Sequence, residues 1–465
     1  MRFILADLYG TGGLVNKDTV AGGYGSRLTP FSFTTRVYCY LKKRFHDMPS
    51  IQMGYIAAIL AEGGHEVVYT RDEIPDGDAA IVLSSLVDYR NECEWADAAR
   101  KQGMRVGFVG LTASNLPELF AEHADFIVKG EPESAIRRIV LGSDLANIFE
   151  SEPVTDLDSL PFPRWDLVQN GHRQRFHFPF HHRPYGGGVP LLASRSCPEH
   201  CIYCPHRVLA GYRTRSAGSI VEELAYLFRY YKRPYVIFRD PQFNAERKRC
   251  TDICDQVLSL GLKIRFECET RIDRIDIELL RLMHRAGLRF LTFGVESVCQ
   301  DILRKAGRRP IDEDHQYHIL EECRRLGITT AGHFLLGFPE DTWESIGATI
   351  EFAIDLSPTF AQFKILTPYP GTLFLKKCAD MIAETDWERF DGYHPTLRLP
   401  NLTSDELLYL LGSAYARFYI RPTYPATYMH INGGRIFRWV KKMDEWVSAY
   451  HRRLEYKAMR KAVIP

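Results

Sequence analysis

Apolar and polar positions along the chain fall into two alternating patterns. Short, largely apolar runs recur early, at Phe3–Ala6, Glu66–Tyr69, Ala79–Leu83, Arg105–Val109 and Asp125–Val128. A Gly-rich loop (Gly10, Gly12, Gly13, Gly22, Gly23, Gly25) follows the first run. Helix-length segments lie between the others: Ile51–Gly63, with Ile51, Tyr55, Ile56, Ile59 and Leu60 predicted on one face, and Asn91–Gln102. Short runs spaced by helices suit buried parallel strands. Residues 1–140 are therefore expected to form a doubly wound, Rossmann-like α/β domain whose ligands sit beyond the carboxyl ends of its strands.

The rhythm then breaks. Pro153, Pro161, Pro163, Pro179, Pro184 and Gly186–Gly188 mark residues 141–190 as a linker. Its His172, His177, His181 and His182 have no metal-ligand spacing and read as padding against neighbouring elements. Alternation returns over 191–375. Strands are predicted at Leu191–Ser194, Tyr235–Phe238, Lys263–Phe266, Phe290–Gly294, Thr329–Leu336 and Phe360–Leu366. Helices are predicted at Ile220–Tyr231, Lys248–Leu260, Asp276–Ala286, Asp312–Leu326 and Thr342–Leu356. This implies a partial (β/α)6 barrel with its chemistry at the strand carboxyl ends. Residues 376–465 are expected to be mostly helical. Ile436, Trp439, Val440, Met443, Val447, Tyr450 and Leu454 recur there at helical spacing beside a basic face, in a helix expected to pack over the barrel mouth.

Composition narrows the function classes. The chain has 465 residues, 59 Lys+Arg, 58 Asp+Glu and a formal net charge of +1. That length suggests about two to four domains. The balance argues against binding nucleic acid by general electrostatics. A hydrophobic share of 45% with 12% aromatics argues against a largely disordered chain. Met53–Ala61, the best apolar run, falls short of the roughly 20 residues that span a bilayer. Asp7 interrupts the N-terminal apolar stretch too early for a secretory signal. Cytoplasmic residence with reduced thiols is the resulting expectation.

Of the 11 cysteines, Cys39, Cys93, Cys250, Cys254, Cys268, Cys299, Cys323 and Cys378 are scattered and read as buried thiols. The other three are crowded into Cys197-Pro-Glu-His-Cys201-Ile-Tyr-Cys204. Three thiolates this close can share one centre. Zinc would need a fourth ligand, from His200 or His206. An iron–sulfur cube held by three cysteines leaves one iron open to a small molecule. The position, at the end of the first barrel strand, favours the cube over a zinc-binding interaction protein.

Here the sequence resembles the radical S-adenosylmethionine (SAM) superfamily. The CxxxCxxC triplet carries an aromatic, Tyr203, before its last cysteine. Further resemblances follow in order: Phe238-Arg-Asp-Pro-Gln-Phe243, Glu269-Thr-Arg271-Ile-Asp273, Gly294-Val-Glu-Ser297, Gly327–Gly332 continuing to Leu336–Thr342, and Thr367–Thr372. The resemblance implies a [4Fe-4S] cluster on Cys197, Cys201 and Cys204 as metal ligands. It implies SAM contacts from Tyr203, Asp240, Glu269, Arg271, Gly294, Glu296, Ser297 and Gly337. Arg271 is expected to grip the SAM carboxylate through a bidentate fork, and Glu269 and Glu296 to accept from the amine or the ribose hydroxyls. One electron into SAM would release a 5′-deoxyadenosyl radical, and an electron donor of flavodoxin or ferredoxin type would serve the cluster.

Met53–Val67, Gly110–Glu118 and Ala124–Glu133 are similar to cobalamin-binding domains fused to radical SAM barrels. That implies cobalamin contacts from Ser84, Ser85, Gly110, Thr112, Gly130 and Glu131. The Asp-x-His-x-x-Gly element that ligates cobalt in other B12 proteins is absent, so no histidine is expected beneath the cobalt. Together the resemblances imply a cobalamin-dependent methyltransferase acting on an unactivated carbon or phosphorus of a small molecule. A ring closure, contraction or other rearrangement without methyl transfer is the alternative.

Overall fold

A computed structural model describes residues 1–10, 14–17, 23–28, 50–142, 147–168, 188–231 and 234–424. The four linker histidines, Cys39 and the basic C-terminal segment lie outside these residues. The first sheet contains β1 (Arg2–Ala6), β2 (Glu66–Thr70), β3 (Ala79–Leu83), β4 (Arg105–Val109), β5 (Phe126–Gly130) and β6 (Asn147–Ser151). All pairings in it are parallel, in the order β2-β1-β3-β4-β5-β6. The order reverses between β1 and β3, which makes that the crevice where ligands of such sheets bind. Strand β6 lies within the stretch read as linker. Its Glu150 and exposed Asn147 gave no apolar run, and it forms by adding to the edge at β5.

The sheet is covered on both faces, as doubly wound sheets must be. Phe3, Leu5, Ile81 and Leu83 face one core, and Ile4, Ala6, Ala80 and Val82 face another with Trp95, Ala96 and Phe120. The helix Ile51–Glu62 departs from the one-faced expectation. Met53, Gly54, Ala57 and Ala58 are buried together with Ile51, Tyr55, Ile56, Ile59 and Leu60. A helix apolar all round is one covered all round. Gly54 is what admits the far side, since a Cβ there would meet Pro163 at 2.8 Å and Trp165 at 3.0 Å.

The second sheet contains β7 (Gly188–Leu191), β8 (Tyr235–Phe238), β9 (Arg265–Thr270), β10 (Leu288–Glu296), β11 (Thr329–Leu336) and β12 (Phe360–Ile365). It is parallel and strictly sequential, in the order β12-β11-β10-β9-β8-β7. The helices between the strands start and stop where local chemistry dictates. Asp276 and Asp312 cap two of them by accepting from Leu279 N–H at 2.8 Å and His315 N–H at 2.9 Å. Thr342 with Ser345 and Thr403 with Glu406 form reciprocal capping boxes. Gly327, at φ +68°, ends Glu313–Leu326 in the left-handed turn a glycine favours. Two strands shift against expectation: β7 ends at Leu191, and β9 runs on to Thr270, so Glu269 stands within a strand.

One continuous apolar core reaches from Leu5, Ile56 and Ile81 into Leu191, Phe266, Leu291 and Phe363 of the second sheet. Polar contacts tie the same two parts. Arg213 pairs with Glu131 at 2.5 Å, Arg195 with Glu133 at 2.6 Å, and Tyr24 stacks on Tyr369 at 5.2 Å. Among the described residues no helix is long and apolar enough to cross a membrane.

Candidate active site

The carboxyl ends of β9 to β12 open into a cavity. Cys197, Cys201 and Cys204 all line it, on the loop that follows β7. That loop is built to hold one shape. Ser194–Arg195 pairs antiparallel with Arg213–Thr214, and Ser196 turns the chain at φ +65°. Arg207 donates to the Cys197 carbonyl at 2.7 Å. Ile202 N–H donates to Ala306 O, and Phe374 N–H to Ile202 O, each at 3.0 Å. Gly307, at φ +69°, lets the loop press close, since a Cβ there would lie 2.7 Å from the His200 carbonyl.

Burial pushes the Cys204 thiol up to about 12 and raises Cys197 as well. Protein surroundings alone thus favour thiols, and these sulfurs become strong ligands when a cationic centre shares the pocket. Among the described residues no group of three or more His, Cys, Asp or Glu converges on a single point as one metal ion requires. Tetrahedral zinc needs such a point, about 2.3 Å from each sulfur. A cube does not, because each thiolate takes a different iron. Of the two histidines, either of which would complete a zinc site, His200 is exposed and His206 lines the cavity.

Of the expected SAM contacts, Tyr203, Glu269, Arg271, Gly294 and Glu296 line the cavity. Tyr203 is buried with its hydroxyl unpartnered, its ring edge-on to Phe338 at 5.9 Å. Glu269 pairs with Arg239 at 3.5 Å. Glu296 is held at φ +69°, and Gly294 makes room for its carboxylate, which a Cβ at 294 would strike. Arg271 corrects an expectation. Its Nε and Nη2 both bond Asp273 at 3.1 Å, so the fork is occupied and only the buried Nη1 has no partner.

Three expected SAM contacts, Asp240, Ser297 and Gly337, are not among the walls of this cavity. Asp240 is fully buried behind the cysteine loop, accepting from Ala193 N–H at 3.0 Å and Ser194 Oγ at 2.5 Å. Pro241 and Gln242, just beyond it, reach the cavity. Ser297 Oγ accepts from Cys299 N–H at 3.1 Å in the turn that leads into the next helix. Gly337, at φ +90°, packs under Leu407 in the turn that Asp341 holds by accepting from Gly337 and Phe338 N–H at 2.9 Å. Each motif also encodes a turn, and these side chains are spent on it.

A second cavity lies at the switch point of the first sheet. Gly110, at φ +111°, and Glu131 line it as expected. Burial raises the Glu131 carboxyl, but Arg213 and Arg195 more than offset this and leave it below the usual carboxylate range. Ser84, Ser85, Thr112 and Gly130 are not among its walls. Ser84 Oγ donates to Val109 O at 2.8 Å and accepts from Ala113 N–H at 3.0 Å. Ser85 is bonded twice to Glu92. Gly130 donates to Ser114 Oγ at 3.0 Å and passes too near Ser151 O for any side chain. Thr112 is fully buried, its hydroxyl unpartnered. The lining comes instead from Lys17, Gln52, Tyr55, Glu133 and Arg195. The two cavities share His206, Pro241 and Glu269 and so adjoin.

Sequence reasoning passed over other lining residues of the first cavity. Arg308, 8% exposed at its side chain, donates to Gly294 O at 2.5 Å, lies 3.5 Å from Glu296 and reaches Cys201 Sγ at 3.9 Å. His333, Gln362 and Lys364 project from β11 and β12. Burial, with Lys364 and Arg239 nearby, drives His333 down to about 3, so its imidazole is neutral. The inward alternation along these strands was the available signal.

Residues 191–353 match the Radical SAM superfamily. Over 320 residues the chain is 29% identical to an uncharacterised methyltransferase of Pyrococcus horikoshii, covering 64% of this chain and 68% of that protein. It is 24% identical to an anaerobic magnesium-protoporphyrin IX monomethyl ester cyclase of Cereibacter sphaeroides, covering 64% of this chain and 52% of that one. The structure of TsrM, a radical SAM methyltransferase from Kitasatospora setae with cobalamin and a [4Fe-4S] cluster bound, superposes with a TM-score of 0.66 at 15% identity. That superposition covers 95% of this chain and 99% of TsrM, and it shows a shared fold.

Proposed function

We propose that the chain is a radical SAM enzyme with a cobalamin-binding-like domain before the barrel, and that it acts as a cobalamin-dependent methyltransferase of small molecules. The observation that carries this reading is the adjoining of the two cavities at His206, Pro241 and Glu269. A cluster cavity and a corrin cavity that meet give one substrate access to both.

The residues present fit the three groups. Three cysteines on a braced loop suit a cube with an open iron. Buried, unpartnered Tyr203 Oη, Gln242 Nε2 and Arg271 Nη1 suit a polar ligand beside it. Gly110 and the open crevice beyond it suit a flat macrocycle approached by backbone. When bound, the cluster would supply the electron that cleaves SAM to a 5′-deoxyadenosyl radical, and cobalamin would supply the methyl group. Arg271 would give the SAM carboxylate one N–H from Nη1 while Asp273 fixes the guanidinium plane. Glu296, anchored by Arg308, and Glu269, anchored by Arg239, would accept from the amine or the ribose. Keeping water from this space would protect the radical. A small flavodoxin- or ferredoxin-like protein would deliver the electron.

Anaerobically reconstituted protein given SAM, reductant, cobalamin and candidate substrates tests this. Equal yields of 5′-deoxyadenosine and S-adenosylhomocysteine are expected. The similarity to a cyclase favours a second reading, rearrangement without methylation, which yields 5′-deoxyadenosine alone. Protein that retains neither iron nor sulfide would sink both.

A further inference from the structure

The three sulfurs of the cysteine loop are met by donors. Cys197 Sγ accepts from the Glu199 backbone N–H and Cys204 Sγ from that of His206, while the Arg308 guanidinium lies 3.9 Å from Cys201 Sγ. Donors are what a negatively charged sulfur needs around it. One neighbour breaks this pattern. Gln242 meets Cys197 with its oxygen, Oε1 lying 4.0 Å from Sγ as the acceptor of the thiol proton.

Gln242 is held at that spot by its surroundings. It is 2% exposed and lines the barrel cavity together with Cys197. Its backbone carbonyl accepts from Ala245 N–H at 3.2 Å, Phe243 N–H donates to Glu269 O at 2.9 Å, and the Phe243 ring packs on Phe238 at 4.3 Å. The turn after β8 thus touches the cysteine loop twice, through Asp240 at Ala193 and Ser194, and through Gln242 at the first cysteine. Yet Nε2 of this buried amide has no partner. A buried donor left unmet is costly, and calls for a reason.

As an iron ligand Cys197 carries no proton and can only accept. An amide oxygen against that sulfur would then be repelled. The two ends of a glutamine amide have nearly the same shape, and its terminal torsion is roughly two-fold. A half-turn therefore sets Nε2–H on the sulfur and gives the unmet donor its partner. We propose that Gln242 is a positioning residue of the cluster, its side-chain amide donating to Cys197 Sγ and favouring the reduced, more negative state. The inference rests on the iron–sulfur reading of the cysteine loop. The half-turn leaves Oε1 as an acceptor for a donor on the ligand beside the cube.

The test uses anaerobically reconstituted protein without SAM. Gln242→Met keeps the length of the side chain and removes the donor. Redox titration followed by electron paramagnetic resonance should give it a ratio of reduced to oxidised cluster about fivefold lower at fixed potential, the scale of one neutral hydrogen bond. Iron and sulfide per chain should match wild type, since Gln242 is not a ligand. Pulsed electron paramagnetic resonance of reduced wild type, with isotope-labelled nitrogen in its glutamine side chains, should show a coupling to that nitrogen which Gln242→Met lacks. The wild-type coupling can be read whether or not the variant folds. An unchanged potential in cluster-bearing Gln242→Met would overturn the proposal, as would a wild-type cluster without the coupling. Wild-type protein that holds no iron and sulfide fails earlier, on the cluster reading itself, and the proposal falls with it.

Discussion

The two adjoining cavities differ in how they are made. In the barrel the walls include strand residues at every second position, Thr292, Gly294 and Glu296 from β10, His333 and Leu335 from β11, Gln362 and Lys364 from β12, with Phe293, Phe334 and Ile365 beside them. Strand geometry aims the alternate positions inward, so a motif at a strand's carboxyl end becomes a cavity wall directly. At the switch point of the first sheet the residues after the strands turn back on the fold. Ser84 and Ser85 satisfy Val109, Ala113 and Glu92. The cavity is finished by side chains from other segments, among them Lys17, Tyr55 and, from beyond the first sheet, Arg195. A barrel site is thus written into local spacing, whereas a crevice site depends on which distant segments are folded across it.

This contrast can be broken or sharpened by experiment. The largest effect belongs to the cysteine loop. Cys201→Ala should remove cluster iron and reduce SAM cleavage by more than the roughly 10- to 100-fold typical of outer-shell changes, measured as iron per chain and 5′-deoxyadenosine yield. A variant that still cleaves SAM would refute the ligand assignment.

Arg308→Met should leave the cluster in place but harder to reduce, because a cation 3.9 Å from Cys201 Sγ favours the reduced, more negative state. A tenfold smaller reduced fraction at fixed potential corresponds to about 59 mV for one electron, read by redox titration of the electron paramagnetic resonance signal. An unchanged potential would reduce Arg308 to a brace for Gly294 and Glu296.

Scaffold residues should behave in the opposite way. Asp240→Ala strands Ala193 N–H and Ser194 Oγ and should cost about 2–4 kcal/mol in chemical denaturation. SAM affinity per folded molecule should hold. Ser84→Ala should cost about 1–2 kcal/mol without changing cobalamin affinity. If cobalamin affinity falls instead, the switch-point cavity is built more like the barrel than its lining indicates.

The smallest effect concerns His394. Its bond to Asp391 at 2.8 Å raises its pKa, burial only partly opposing this. A raised folded-state pKa means the stabilisation is fully present below about pH 6.5 and is lost as pH rises through the raised value. The ring is partly exposed, so screening keeps the contribution well under about 1 kcal/mol. Urea unfolding from pH 5.5 to 8.5 should fall slightly in wild type and stay flatter in His394→Asn.

Much of the barrel was legible in the chain. Tyr235–Phe238 and Thr329–Leu336 form strands at the residues their patterns predicted, and the helix ends follow Asp276, Asp312 and Thr342 closely. These are local effects: apolar period, caps and turns act over a few residues. Strand β6 was not legible, because a polar edge strand gains its ladder from β5 rather than from its own composition. Asp240, Ser297 and Gly337 lie off the cavity wall for a related reason, since a motif does not say which of its residues the turn engages.

By itself the sequence determined the α/β class, the order of strands and helices, and three thiols too close together to be ordinary core residues. Those follow from periodicity and spacing, which a linear chain carries in full. The tertiary structure alone decided that Arg271 gives its fork to Asp273, that Arg308 approaches Cys201 from more than a hundred residues away, and that Lys364 shares a wall with His333. It also decided that the two cavities meet at Glu269 and His206. Side-chain direction and long-range proximity are set by packing every element at once, and no local stretch of sequence records that sum.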